Sequence, residues 1–353
     1  MNRPTTDIEI SRSQPPTSRP WPASPSRLRS DLTMGLSPGV TRALHSDEIA
    51  IDVDLVRSLV GRAMPAYAAA PVRRLDSSGS TNALFRLGED LLVRLPRQPG
   101  GSATITKEAA WLPVLGPLLP VSVPDVVAVF EPDSEYAERW SVVRWIDGAH
   151  PDVVDPDTSV DPRREELAGN LASVLDALRQ ADVPTEAVDD PHLQWYRGEP
   201  LATMDQATRD NIERCRSLED FGFDLDAAAQ IWAEAMKLPG AADRTTPRWY
   251  HGDLAAENLL VGDGALTAVL DFGGLSVGDP TVDLVVAWEV LDAPARELFR
   301  KLVGVDEATW LRGRAWALSI TLMIWYYWTT MPERRARCTA VGRNVLADAG
   351  YSV

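Results

Sequence analysis

The spacing of apolar residues in the first part of the chain predicts one helix followed by several strands. Residues 53–64 carry apolar side chains at helical spacing, with Asp52 at the N-cap and Pro65 as a stop. Short runs rich in β-branched and apolar residues follow, and they predict strands at 72–76, 82–87 and 91–95. The pattern favours a domain in which helices and antiparallel strands are both present.

The same pattern predicts where the sheet ends and a helical region begins. A helix at 104–115 precedes two further predicted strands, 126–130 and 141–146, which complete a small antiparallel sheet. After residue 146 the apolar positions mostly follow helical spacing. We therefore expect an α+β protein with a small sheet-containing lobe at residues 46–146 and a larger, mainly helical lobe at residues 147–353.

The first 45 residues show no such periodicity. They are rich in Pro, Ser and Arg, with six arginines against three acidic residues. Such a segment cannot bury enough apolar surface to offset the entropy of ordering, so we expect a disordered, mildly basic tail. Two interpretations fit it: a targeting peptide, or an over-extended translation start with Met34 as the true first residue. The sequence thus leaves open whether residues 1–33 belong to the native protein.

Composition narrows the classes of partner. The chain has 353 residues and a formal net charge of −16, which argues against nucleic acid because phosphates would be repelled. Its two cysteines form no C-x-x-C motif, so we expect free thiols of a cytoplasmic protein. The longest apolar stretch, residues 315–328, is too short to cross a bilayer. Arg312 and Arg314 flank that stretch, and we interpret it as a buried helix, with an aromatic ligand-binding wall as the alternative.

The chemistry is concentrated in residues 249–273, which read WYHGDLAAENLLVGDGALTAVLDFG. Asp253 and Asn258 lie five residues apart (258 − 253) on one predicted tight loop. A predicted hairpin with a Gly-Asp-Gly turn follows and folds Asp271 back beside Asn258. A carboxylate and an amide oxygen that supply only part of a coordination shell suit Mg²⁺. Asp253, on the same loop, is free to accept a proton from a substrate hydroxyl.

This spacing resembles the catalytic set of protein kinases, H-x-D-x-x-x-x-N followed by D-F-G. In this chain His251, Asp253, Asn258 and Asp271 occupy the four positions. The alternative is an acidic surface hairpin whose carboxylates only solvate a turn. Asp283 follows within twelve residues of Asp271 (283 − 271), which leaves no room for a protein-kinase activation segment.

The two segments HGDLAAENLLV and VLDFGGLSVGDPTVDL instead resemble the aminoglycoside and macrolide phosphotransferases. That superfamily also includes choline kinase-like and fructosamine kinase-like enzymes. The resemblance covers roughly residues 47–330 and is most specific over residues 250–290. It implies a two-lobed, protein kinase-like fold in which ATP or GTP donates the γ-phosphoryl group.

The resemblance also implies roles for the residues of the catalytic motif. Asp253 would align and deprotonate the acceptor hydroxyl, and Asn258 and Asp271 would hold Mg²⁺. We expect His251 and Asp283 to fix the loop through hydrogen bonds. These residues would then form the floor of the cleft between the lobes.

In the small lobe, the resemblance places the nucleotide. Arg94, where the commoner residue is Lys, would hold the phosphates, oriented by Glu108; an edge-strand surface charge is the alternative for Arg94. We expect Lys107 to be solvated. The loop residues Ser78, Gly79 and Ser80 would cover the phosphates, although one glycine fits an ordinary hairpin turn equally well. Backbone groups near Ile146 would contact the adenine edge.

The acceptor is predicted from the resemblance together with the charge of the larger lobe. Residues 147–240 contain 21 acidic and 8 basic residues, and an acidic cleft would concentrate a cationic substrate such as an aminoglycoside or a macrolide. An ordinary acidic surface is the alternative. A housekeeping kinase for choline, a sugar amine or homoserine, and a pseudokinase-like binding module, remain as rival functions. The choice of ATP or GTP, the acceptor hydroxyl and the oligomeric state stay open.

Overall fold

A computed structural model describes residues 47–75 and 81–353, which all belong to one compact unit. The tail predicted for residues 1–45 and the loop residues Ser78, Gly79 and Ser80 lie outside the described residues. The first described helix, α1, spans Val53–Ala63. It begins where predicted, because the Asp52 side chain accepts a hydrogen bond from the Leu55 N–H at 2.8 Å.

The small lobe is built on a five-stranded antiparallel sheet with the strand order β1-β2-β3-β5-β4. Its strands are β1 (Val72–Arg74), β2 (Asn82–Leu87), β3 (Leu91–Pro96), β4 (Val126–Phe130) and β5 (Trp140–Arg144). Strand β3 lies in the middle, paired with β2 and β5. One face of the sheet and helix α1 enclose a separate hydrophobic core that includes Val56, Phe85 and Val93.

Helix α2, Ser102–Leu115, crosses from the sheet towards the larger lobe. Its start is fixed by Glu138, whose carboxylate accepts hydrogen bonds from the N–H groups of Gly100 and Ser102 at 2.9 and 2.8 Å. The carboxylate supplies the negative charge that a helix N-terminus favours. The helix contacts β4 and β5 on one side and the turn Phe272–Gly274 on the other.

Strand β5 ends at Arg144, two residues before the predicted end at residue 146. The backbone N–H of Trp145 still donates to the Asp90 carbonyl oxygen at 2.8 Å. Beyond it, Ala149 forms an isolated antiparallel bridge to Val261 of the larger lobe. The crossing between lobes is therefore short and bonded to the hairpin that carries the catalytic motif.

The larger lobe is mainly helical, as predicted. Its helices are α3 (Arg163–Gln180), α4 (Thr185–Asp189), α5 (Asp205–Arg216), α6 (Leu225–Ala235), α7 (Ala287–Val290), α8 (Ala293–Val303), α9 (Glu307–Leu322) and α10 (Pro332–Asp348). They enclose a large core in which Trp232, Trp249, Trp288 and Trp316 are buried. The described residues thus form a two-lobed α+β fold with a separate core in each lobe.

The predicted helix at 315–328 differs from the observed one. Helix α9 begins earlier and ends at Leu322, and a 3₁₀ turn, Met323–Tyr327, continues the chain. Arg312 and Arg314, expected to flank the helix, lie within it. The helix accommodates Arg312 in the interior because its guanidinium donates to the Pro239 carbonyl oxygen. No helix in the described ranges has the length and apolar character needed to cross a bilayer.

Candidate active site

The catalytic motif lies on a loop and a hairpin at the top of the larger lobe. We use the name catalytic loop for residues 251–258. It follows β6 (Arg248–Tyr250) and leads into the hairpin of β7 (Leu259–Gly262) and β8 (Ala265–Val269). Strand β6 pairs with β9, Ser276–Gly278, on the far side of the hairpin. The catalytic loop is therefore held at both ends by strands.

The hairpin brings Asn258 and Asp271 together as the sequence predicts. Leu259 pairs with Val269, and the Leu270 N–H donates to the Asn258 carbonyl oxygen at 2.8 Å. Asp271 is the next residue, and its backbone adopts a left-handed conformation with φ 53°. Asn258 is therefore hydrogen-bonded to the residue that immediately precedes Asp271, and the two candidate metal ligands lie at the same end of the hairpin.

The side chains of Asn258 and Asp271 leave oxygen atoms available for a cation. The Asn258 amide donates through Nδ2 to the Asp253 carbonyl oxygen at 2.8 Å, so its Oδ1 is the atom left to face a ligand. Asp271 Oδ1 accepts from the Gly273 N–H at 3.1 Å. Within the described ranges no three His, Cys, Asp or Glu side chains gather into an all-protein metal site. Two oxygen ligands with open positions fit Mg²⁺, which usually keeps water and substrate phosphate in its shell.

His251 and Asp283 hold the catalytic loop from below. Asp283 is buried, and its two carboxylate oxygens accept from the backbone N–H groups of His251 and Gly252, each at 2.7 Å. His251 is fully buried; its Nδ1 accepts from the Asp253 N–H at 3.2 Å, and its Nε2 lies 2.9 Å from the Leu270 carbonyl oxygen. These partners place the ring proton on Nε2. The hydrogen bonds tie Asp253 to the strand end that precedes Asp271.

The Asp253 carboxylate is partly exposed and has a cationic partner that the sequence analysis missed. Arg197 Nη1 lies 2.6 Å from Asp253 Oδ1. Partial burial acts to raise the pKa of Asp253, but the charge of Arg197 and its hydrogen bond outweigh this and hold the pKa below its usual value. Asp253 is therefore an ionised hydrogen-bond acceptor at neutral pH.

Arg94 and Glu108 form a buried ion pair between the sheet and helix α2. Arg94 Nη1 and Nη2 donate to the two Glu108 carboxylate oxygens at 2.6 and 3.1 Å. Arg94 lies on the central strand β3 and is buried, so the alternative of an edge-strand surface charge is wrong. Burial raises the pKa of Glu108, and the Arg94 guanidinium acts in the opposite direction. Arg94 Nη2 also lies 3.9 Å from Asp271 Oδ1, which brings the pair to the edge of the candidate metal site.

Lys107, expected to be solvated, is buried instead. Its ammonium group donates to the Gly273 carbonyl oxygen at 2.6 Å. Burial lowers the pKa of Lys107 to about 8, against the attraction of Glu108, Asp271 and Asp190. The expectation failed because helix α2 is covered on two sides, by the sheet and by the turn after Asp271. Lys107 thus links the small lobe to that turn.

Ile146 lies beyond the end of strand β5. Among the described residues, neither of its backbone groups has a partner within the protein, so both are available to an adenine edge. Its neighbour Trp145 is fixed, because its Nε1 donates to Asp147 at 2.6 Å and the Arg86 guanidinium stacks 3.9 Å from the ring centroid.

The architecture is that of a kinase-like phosphotransferase: an antiparallel small lobe, a helical large lobe, and a loop-and-hairpin motif in the cleft. A family model described as the phosphotransferase enzyme family (APH) matches residues 72–316, well over half of the chain. The chain belongs to this family. No curated protein matches this chain.

Solved structures share the fold at low sequence identity. The GDP and kanamycin complex of APH(2″)-IIIa has a TM-score of 0.60 at 20% identity, covering 84% of this chain and 98% of that chain. The streptomycin–ATP complex of APH(2″)-IIa has a TM-score of 0.54 at 16% identity, covering 78% and 91%. The macrolide 2′-phosphotransferase MphH from Brachybacterium faecium, an apoenzyme, has a TM-score of 0.54 at 22% identity, covering 82% and 97%. At these identities the likeness shows the fold.

Proposed function

We propose that the protein transfers the γ-phosphoryl group of ATP or GTP to a hydroxyl group of a small cationic molecule of the aminoglycoside or macrolide kind, and so confers antibiotic resistance. The observation that carries the proposal is the convergence of Asp253, Asn258 and Asp271 at one edge of the Arg94–Glu108 pair. The structural neighbours support the choice of acceptor, since two of them are complexes with kanamycin or streptomycin and one is named a macrolide 2′-phosphotransferase. We also propose that the protein is cytoplasmic.

In this mechanism Asp253 receives the acceptor hydroxyl. Its Oδ1 is held by Arg197, so Oδ2 is the oxygen left to accept the hydroxyl hydrogen bond. The hydroxyl oxygen bonds to the γ-phosphorus as the bond from phosphorus to the bridging oxygen breaks, and the hydroxyl proton passes to Asp253. Such a general base commonly contributes about 10²- to 10⁴-fold. Most of the remaining catalysis is positioning and charge neutralisation.

The other residues of the site would position the donor. Asn258 and Asp271 would hold Mg²⁺, which neutralises charge on the phosphates when bound. Arg94 would hold the α- and β-phosphates as a planar cation whose direction is fixed by Glu108. The open backbone groups of Ile146 would pair with the base of the nucleotide. Ser78, Gly79 and Ser80 stay predicted phosphate contacts.

A phosphorylation screen tests the proposal. The purified protein is incubated with Mg²⁺ and ATP or GTP, and with kanamycin, streptomycin, gentamicin or erythromycin; choline, fructosamine and homoserine represent a housekeeping kinase. We expect phosphorylated antibiotic, and at least 10²-fold less with Asp253→Asn. Phosphorylation of the metabolites alone would reject the proposed acceptor, and undiminished activity in the Asp253 variant would reject the mechanism.

A further inference from the structure

The segment of residues 195–198 packs directly on the catalytic loop, although it precedes that loop by more than fifty residues. Glycines make this approach possible. A Cβ atom on Gly252, which has φ +83°, would lie 2.9 Å from the Trp195 ring. A Cβ atom on Gly278 would lie 2.7 Å from the Gly198 carbonyl oxygen. Because only glycine leaves room at these positions, the segment and the loop form one unit.

Arg197 points from this segment into the site and is held on several sides. It is buried, and its Nη1 donates to the Gly252 carbonyl oxygen at 2.7 Å as well as to Asp253 Oδ1 at 2.6 Å. Its Nε lies 3.1 Å from the Tyr196 hydroxyl oxygen, and its guanidinium carbon lies 4.5 Å from the Trp195 ring centroid. Because these contacts fix the guanidinium, they also fix the position of the Asp253 oxygen that it binds, Oδ1.

We infer that Arg197 is a positioning residue for phosphoryl transfer, which fixes Asp253 so that Oδ1 is held by the protein and Oδ2 faces the acceptor hydroxyl. This inference rests on the proposed function, since it assigns to Asp253 the role of proton acceptor. It adds a residue outside the H-x-D-x-x-x-x-N motif to the catalytic machinery.

The test uses Arg197→Met, which keeps an unbranched apolar stem without the charge, Arg197→Lys, which keeps the charge, and Arg209→Met as a matched control. Arg209 forms an exposed ion pair with Asp205 on helix α5. Because the acceptor is not yet identified, the reaction measured is slow Mg²⁺-ATP hydrolysis, with water as acceptor, and kcat and the KM for ATP are determined separately. Thermal melts establish that each variant is folded.

For Arg197→Met we expect kcat to fall roughly 10- to 100-fold with the KM for ATP within about threefold, because Arg197 contacts the base and not the nucleotide side of the cleft. Arg197→Lys should retain more of the wild-type kcat than Arg197→Met but not all of it, because lysine keeps the charge and lacks the planar guanidinium whose Nη1 and Nε are both bonded. Arg209→Met should behave as wild type.

An Arg197→Met enzyme with a kcat within threefold of wild type, or with a KM for ATP that rises as far as kcat falls, would overturn the inference. If that variant does not fold, Arg197→Lys decides, since an unchanged kcat would equally overturn it. Asp253→Asn separates the two claims. If Asp253→Asn hydrolyses ATP at the wild-type rate, the proposed function fails. If Asp253→Asn is inactive and Arg197→Met is unaffected, only the role of Arg197 is refuted.

Discussion

Replacing Lys107 by methionine should stabilise the ligand-free protein at neutral pH, although it removes a hydrogen bond to Gly273. Burial lowers the pKa of Lys107 from 10.5 to about 8, in spite of Glu108, Asp271 and Asp190 nearby. At about 1.36 kcal/mol per pKa unit, the buried charge costs about 3 kcal/mol of folding free energy at pH 7. Methionine removes this cost, while the lost hydrogen bond costs about 1–2 kcal/mol. We expect a net gain of about 1–2 kcal/mol.

The pH dependence gives the prediction its sign. Between the folded pKa of about 8 and the unfolded value of 10.5, the unfolded chain binds more protons at Lys107. The free energy of unfolding of the wild-type protein therefore rises with pH through that window, because the destabilising charge on Lys107 is lost. Above the window Lys107 is neutral in both states and the rise ends. Lys107→Met lacks the rise, so it should be more stable than wild type at pH 7 and slightly less stable near pH 10.5.

Urea unfolding at several pH values, without nucleotide or Mg²⁺, measures the difference. Lys237→Met is the matched control, because Lys237 is exposed and its removal should leave the stability nearly unchanged at every pH. A Lys107→Met protein that is less stable than wild type at pH 7, or whose difference from wild type does not change with pH, would refute the reasoning. Reduced phosphoryl transfer in the stabilised variant would indicate that Lys107 is kept for function.

Three further predictions concern the loop and the thiols. Asp283→Ala should lower the free energy of unfolding by roughly 2–5 kcal/mol, because the buried N–H groups of His251 and Gly252 lose their acceptor; a loss below 1 kcal/mol in denaturant unfolding would contradict this. Gly252→Ala should cost at least roughly 1–3 kcal/mol and most of the activity, since its Cβ would lie 2.6 Å from a backbone carbonyl oxygen at φ +83°; a melt like that of wild type would argue otherwise. Cys215 and Cys338 are free, and burial raises the pKa of their thiols to about 12 and about 11, so Ellman's reagent at pH 8 should label neither until the protein unfolds.

Short-range spacing was enough to predict helix α1, the strands of the small sheet and the hairpin that carries the catalytic motif. Helix α1 follows from its apolar stripe and the Asp52 cap. The approach of Asn258 to Asp271 follows from a hairpin, whose hydrogen-bonding register is fixed by a few residues on either side of its turn. The roles of the residues gathered there stay predictions.

Errors arose where an element has more than one neighbour. Helical periodicity describes one buried face, so it assigned Lys107 to solvent beside the buried Glu108. The helix is also covered by the turn after Asp271, where Gly273 lies 166 residues further along the chain than Lys107. A local sequence pattern cannot predict a contact over that separation. Similarly, the chain keeps a helix from Glu307 to Leu322 with two arginines inside it, because distant backbone oxygen atoms accept their hydrogen bonds.

The sequence by itself determined the catalytic motif and the elements around it, because these depend on spacings of a few residues, and the resemblance carried by the motif implied the two-lobed fold. Only the tertiary structure decided which charges meet in the cleft. Arg197 reaches Asp253 across 56 residues, from an irregular segment that periodicity does not describe. The contact exists because glycines let two backbones approach, and the energy of such an ion pair depends on burial and distance, which only the packed chain fixes.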